Sequence, residues 1–213
     1  LNFSLDSRCW GHFSEHESSN VLFLNDDCTS KNEIFENTRH TGSTLLAYDF
    51  FGNGLKDLLI GDVDYPNLIL LRNGGTLDSA YIISQDTLFP NPSKPVKLYS
   101  MPVANMIDLN FDDKKDLVVS SFDPSLDKAE NQKSVWVYSN TGTNQNPSFE
   151  FNTNAFFQNR MIDFGSGAYP VFADMDNNGT KDILVGNWGI YDSSNYAGSI
   201  LHSFYSSSIA LIK

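Results

Sequence analysis

One hydrophobic–polar pattern recurs three times along the chain. A short apolar flank is followed by a polar, acidic loop and then by a second apolar run. The flanks are LLAY (Leu45 to Tyr48), ANMI (Ala104 to Ile107) and PVFA (Pro170 to Ala173). The segments they lead into are DFFGNGLKDLLIG from Asp49, DLNFDDKKDLVVS from Asp108 and DMDNNGTKDILVG from Asp174. Flanks and runs are too short for helices and rich in β-branched and aromatic residues, so each loop is expected to join two strands. Further strands are predicted at Asn67 to Arg72, closed by an Asn-Gly-Gly turn, at Ser134 to Ser139, closed by Asn-Thr-Gly, and at Ser148 to Phe151. No amphipathic helix is apparent. The last six residues, SIALIK from Ser208, read as a strand that begins a new element.

The repeat spacing of roughly sixty residues holds about four strands, which is the content of a propeller blade. The expected fold is therefore all-β: a partial β-propeller of about three four-stranded blades with calcium-binding loops. Residues 1–40 form an N-terminal segment with first strands. Residues 41–213 form the blades, with loops at 49–57, 108–116 and 174–182 and continuation beyond residue 213 in a parent protein. A β-sandwich is the main competitor, but nothing in a sandwich demands this period.

The loop residues point to a metal. Counting from the first Asp, position 1 is Asp49, Asp108 and Asp174, and position 9 is Asp57, Asp116 and Asp182. Position 5 is Asn53, Asp112 and Asn178, and position 3 is Phe51, Asn110 and Asp176. A hard cation such as Ca2+ takes six to eight oxygens at about 2.3–2.6 Å, and alternate side chains on a tightly curled loop can supply them. Glycine at position 6, as Gly54 and Gly179, eases that curl. The carbonyl of position 7 (Leu55, Lys114 or Thr180) is expected to add a ligand. An EF-hand is excluded, because position 12 is Ile60, Val119 or Val185 within a predicted strand, where an EF-hand needs Glu beside a helix. The third loop is the best equipped. The second has Asp113 in place of glycine and two adjacent lysines, and the first has Phe51 where an oxygen belongs. An Asx turn without metal is the alternative for any single loop.

Charge fits this reading. Lys and Arg number 14 against 26 Asp and Glu, a formal charge of −12. Such a chain repels nucleic-acid phosphates and anionic membranes, and no stretch is long and apolar enough for a membrane-spanning helix. No signal peptide is visible at Leu1, as in a processed chain. Aromatic residues at 13% argue against disorder. Two cysteines, Cys9 and Cys28, lie near the N-terminus. A disulfide between them is the favoured reading and a pair of buried thiols the other.

DFFGNGLKDLLIGD (Asp49 to Asp62), VYSNTGTNQNPSFE (Val137 to Glu150) and PVFADMDNNGTKDILVGNWG (Pro170 to Gly189) resemble the FG-GAP/VCBS repeats of proteins secreted by Bacteroidetes-type bacteria. CWGHFSE from Cys9 resembles the opening of such propellers. The resemblance implies a multi-blade propeller, extracellular or on the bacterial cell surface, often a module of a cargo of the type IX secretion system. Phe51 and Asp113 depart from the family pattern. Asp78-Ser79-Ala80 and Asp86-Thr87-Leu88 are similar to O-glycosylation acceptors of that group, at Ser79 and Thr87.

Catalytic chemistry is hard to place. His12 and His16 stand four apart without the Glu of HExxH, and no GxSxG elbow occurs. Trp10, Trp136 and Trp188 are candidates for stacking on sugars, with Trp136 assigned to the core and Trp188 to a blade edge. The expected function is non-enzymatic: a calcium-binding module for adhesion or for binding a protein or glycan ligand. The alternative is an accessory domain of a secreted polysaccharide-degrading enzyme.

Overall fold

In a computed structural model of the chain, the described residues are 4–5, 9–16, 19–27, 42–99, 101–122, 133–162, 164–197 and 200–213. Two units are distinguished, Leu1–Asn159 and Arg160–Lys213.

The first unit begins with a hairpin of β1 (Phe13–His16) and β2 (Ser19–Leu24). Two four-stranded antiparallel meanders follow. The first contains β3 (Ser43–Tyr48), β4 (Asp57–Asp62), β5 (Leu68–Asn73) and β6 (Ile82–Phe89). The second contains β7 (Pro102–Ile107), β8 (Asp116–Ser121), β9 (Val135–Asn140) and β10 (Phe149–Thr153). Each is a blade-like sheet whose acidic loop joins its first two strands, as the sequence predicts.

Every residue of β4 is buried. Side chains alternate between the faces of a strand, so full burial means that both faces of the sheet are covered. Leu59, Leu68 and Leu70 pack toward the second sheet, into a core with Ala104, Leu117, Val119, Trp136 and Tyr138. Leu58, Ile60, Ile69, Leu71 and Ile82 pack the other way, against Leu22 of β2. Gln85 fastens that hairpin, accepting from the Leu22 amide and donating to its carbonyl, both at 2.8 Å. Phe50 makes edge contacts with Phe89 and Phe149, and Phe151 does so with Trp136 and Tyr138. The two sheets approach so closely that a Cβ on Gly61 would lie 1.9 Å from the Pro102 carbonyl oxygen, so only glycine fits there.

The second unit holds β11 (Tyr169–Ala173), β12 (Asp182–Gly186), a hairpin of β13 (Ile190–Ala197) and β14 (Ile200–Ser206), and β15 (Ile209–Ile212). This region departs from the expected third four-stranded blade. Its sheet has three strands in the order β11-β12-β15, while β13 and β14 pair with each other. The terminal SIALIK segment does not start a new element. It is the third strand of this sheet, with Leu211 beside Leu184 and Ile212 beside Ile183.

Among the described residues there is no α-helix beyond a 3-10 turn at Gln158–Arg160, and no helix long and apolar enough to cross a membrane.

Candidate metal loops

The three acidic loops share one backbone design. Position 4 is left-handed in each, at Gly52 (φ 65), Phe111 (φ 61) and Asn177 (φ 57). So is position 6, at Gly54 (φ 82), Asp113 (φ 65) and Gly179 (φ 88). These two inversions curl the loop so that the position-1 carboxylate meets successive amides. Asp49 accepts from Asn53 N and Gly54 N at 3.2 and 2.9 Å. Asp108 accepts from Asp112 N and Asp113 N at 3.2 and 3.0 Å. Asp174 accepts from Asn178 N and Gly179 N at 3.0 and 2.9 Å. Position 5 makes an Asx turn, its side-chain oxygen accepting from the amide of Leu55, Lys114 or Thr180 at 2.8–3.0 Å.

The closing aspartate ties the loop to the sheet. Asp57, Asp116 and Asp182 accept from the amides of Phe50, Leu109 and Met175 at 2.9, 3.2 and 2.9 Å. All three are buried. In the first two sheets the other oxygen accepts from the amide of the asparagine ending the third strand: Asn73 at 2.8 Å and Asn140 at 2.9 Å. Burial pushes the Asp57 carboxyl above its usual range, opposed by hydrogen bonds from the Asn73 and Phe50 amides; Asp49 adds to the rise and Arg72 opposes it.

Those two asparagines were legible in the sequence only as turn residues. Asn73 Oδ1 accepts from the amides of Gly75 and Tyr81, and Asn140 Oδ1 from those of Gly142 and Ser148, at 2.9–3.1 Å. A third asparagine, Asn144, reaches across to loop 2. It accepts from Lys115 N at 2.8 Å and donates to the Asp113 carbonyl at 2.7 Å. Its own carbonyl accepts the hydroxyl of Tyr48 at 2.8 Å, beside loop 1.

The loops differ in what their carboxylates can grip. Ligand oxygens of Asp174, Asp176 and Asp182 lie within 4.8 Å of one another. Among the described residues no other three carboxylate, His or Cys groups converge in this way. Such a trio suits a hard divalent cation, since an oxygen that accepts one N–H bond keeps a second lone pair. Asn178 Oδ1 stands in the same loop and already accepts from Thr180. Lys213 Nζ pairs with Asp176 Oδ2 at 3.0 Å. In loop 2, Asn110 donates to Asp112 Oδ2 at 3.1 Å, and Asp108, Asp112 and Asp116 are not gathered into such a trio. In loop 1 the Phe51 ring carries the Arg72 guanidinium 4.4 Å from its centroid.

A cleft of about 410 Å³ opens beside loop 1, with Trp10, His12, Lys56, Thr76, Leu77 and Asp78 among its lining residues. Trp10 and Leu77 are exposed there, and the His12 ring lies 5.5 Å from that of Tyr81. Of the other tryptophans, Trp136 is buried in the core and Trp188 is exposed. Cys9 Sγ lies 3.4 Å from the Asp26 carbonyl oxygen. The expected bridge partner, Cys28, lies outside the described residues, as does His40. Ser79 is exposed on the turn between β5 and β6, and Thr87 is half-buried on β6.

Comparison with known proteins agrees with this geometry in one region. No protein of curated function and no solved structure matches the chain. Residues 108–185 match the family model of the FG-GAP-like repeat. That stretch runs from the first aspartate of loop 2 to Val185 of β12, past the closing aspartate of loop 3, and over it the chain is similar to the FG-GAP-like repeats.

Proposed function

We propose that this chain is a non-enzymatic, calcium-binding propeller module of an exported protein, used for adhesion or for binding a protein or glycan ligand. The convergence of Asp174, Asp176 and Asp182 carries the reading. The shared loop backbone and the FG-GAP-like match support it. Calcium here has a structural role. Bound at loop 3, it would offset the mutual repulsion of three carboxylates and fix the turn between β11 and β12. An extracellular or cell-surface location, with export by the type IX machinery, agrees with the repeat type. It also suits the acidic surface, since extracellular fluid supplies calcium at concentrations a modest site can use. Loop 3 is the site assigned. Loop 2 lacks a convergent trio and loop 1 a third carboxylate.

Elemental analysis of protein dialysed against calcium tests the assignment. One bound ion is expected in the native chain and none in Asp174→Asn/Asp176→Asn. Equal metal in both, or none in either, contradicts it.

The cleft beside loop 1 is the place proposed for a ligand. Exposed Trp10 and Leu77 offer an apolar platform and Thr76 and Ser79 offer hydroxyls, a mixture that suits the apolar face and hydroxyls of a sugar. Binding on a glycan array that disappears in Trp10→Ala supports this. Turnover in a polysaccharide hydrolase or lyase screen favours the enzyme-accessory reading instead.

A Cys9–Cys28 disulfide is proposed to close the N-terminal segment, at a loop-entropy contribution of about 3 kcal/mol. Intact mass with and without reductant decides it. Two thiols alkylated in the native, unreduced protein contradict it.

A further inference from the structure

In two of the three sheets that carry an acidic loop, the residue that the register sets opposite the closing aspartate is a cation that reaches position 3 of the loop. The register makes these positions equivalent. Leu58, Leu117 and Ile183 each follow the closing aspartate, and they pair with Leu71, Tyr138 and Ile212. The residues after those partners are Arg72, Ser139 and Lys213. Arg72 places its guanidinium 4.4 Å from the centroid of Phe51, which is position 3 of loop 1. Lys213 places its ammonium 3.0 Å from Asp176 Oδ2, which is position 3 of loop 3. Loop 2 has no cation there. Its position 3, Asn110, turns inward instead, accepting from Asp112 N and donating to Asp112 Oδ2.

We propose that Arg72 and Lys213 are tethered cations of their loops: Arg72 stands permanently in place of a metal ion at loop 1, and Lys213 holds Asp176 until a divalent cation displaces it. The chemistry of the two third positions separates the cases. A phenyl ring has no lone pair to offer a hard cation, but its face attracts a guanidinium, which is also the least strongly hydrated of the side-chain cations. Phe51 and Arg72 therefore suit each other, and position 3 offers no oxygen to a metal. Loop 1 has two carboxylates, Asp49 and Asp57, and none at Phe51, and the Arg72 guanidinium is the cation held over its third position. In loop 3 the partner is a carboxylate. An exposed lysine ion pair is weak, so a divalent ion held by three carboxylates outcompetes it. Loop 1 is then independent of metal. Loop 3 binds metal with an affinity reduced by its own lysine.

The second half of this proposal rests on the calcium reading of loop 3, and the first does not. The first half is tested by amide exchange on the metal-free protein. Arg72→Met keeps the apolar stem and removes the charge. In it, the amides of Asn53 and Gly54, both bonded to Asp49, should exchange about two- to fivefold faster. Those of Asp112 and Asp113 in loop 2 should be unchanged, and Arg72→Lys should recover part of the protection. A second variant reads gain of function. Phe51→Asp/Arg72→Ser restores a carboxylate at position 3 and removes the competing charge, so it should hold one more calcium ion than the native chain by elemental analysis. Loop 1 exchange unchanged in Arg72→Met, or no added ion in the double variant, overturns the substitution at loop 1. For loop 3, Lys213→Met should bind calcium up to about fivefold more tightly, and unchanged affinity overturns the role of Lys213. Should the native chain bind no calcium at all, the calcium reading of loop 3 falls together with the Lys213 half, while the exchange result still decides the Arg72 half.

Discussion

Asp113 occupies a left-handed position that loops 1 and 3 give to glycine. Aspartate tolerates that conformation better than most residues, yet it still meets the Cβ clash that glycine avoids. Asp113→Gly should therefore raise stability by about 0.5–1 kcal/mol in urea unfolding. A loss would show that the carboxylate has a compensating role. Tyr138 presents a different residue-scale conflict. Its hydroxyl is buried in the core between the first two sheets and has no hydrogen-bond partner among the described residues. Replacing it by Phe removes an unsatisfied oxygen at nearly constant shape, so Tyr138→Phe should be neutral or stabilising by about 1 kcal/mol. Burial raises the phenol's pKa above its ordinary 10.0. Below that value both folded and unfolded chains are neutral at this site and its contribution is constant. Above it the unfolded chain ionises first, so stability falls as pH rises. Tyr138→Phe should lose less stability than the native protein between neutral pH and pH values above that ordinary pKa. Equal alkaline loss in both would contradict this.

At the scale of the strand and loop, the unit is a strand–loop–strand segment, locked in the first two sheets by a distant asparagine. The loop itself was readable from sequence because its bonds are local. Positions 1, 5, 6, 7 and 9 interact within nine residues, so spacing encodes geometry directly. The lock was not readable. Asp57 and Asn73 are 16 residues apart, and Asp116 and Asn140 are 24 apart. Nothing in the spacing of a turn asparagine says which carboxylate will receive its amide. The same holds for Arg72 on Phe51, which depends on strand register. Asn140→Ala should cost about 2–4 kcal/mol, because it leaves the amides of Gly142 and Ser148 without their buried acceptor. Urea unfolding measures it, and a cost below about 0.5 kcal/mol would show the lock to be dispensable. The hairpin β13–β14 was illegible for a related reason. Its segment has the composition of a strand pair. Only the pairing of β12 with β15 shows that it stands outside the ladder of the third sheet.

For the molecule as a whole, the period of the loops conveyed the number of loop-bearing sheets, and burial shows what each of them requires. The first sheet is covered on both faces, by the β1–β2 hairpin and by the second sheet. The β11-β12-β15 sheet carries Tyr169, Val171, Phe172, Ile209 and Leu211 exposed. Stacked repeats bury their faces on neighbours and not within themselves, so in this second unit the proposed metal loop matters most. Three carboxylates repel one another at loop 3, in a unit where Val185 is the one buried apolar side chain among the described residues, whereas loops 1 and 2 sit on a packed double sheet. Stability conferred by calcium should therefore act through Asp174, Asp176 and Asp182. The direct measurement is thermal unfolding in millimolar calcium and in chelator, for the native chain and for Asp174→Asn/Asp176→Asn. Binding to the folded state alone adds about 2.7 kcal/mol at a hundred times Kd, so the native Tm should rise by several degrees in calcium and the variant's should not. The same Tm in calcium and in chelator for the native chain, with no metal retained, would contradict the account.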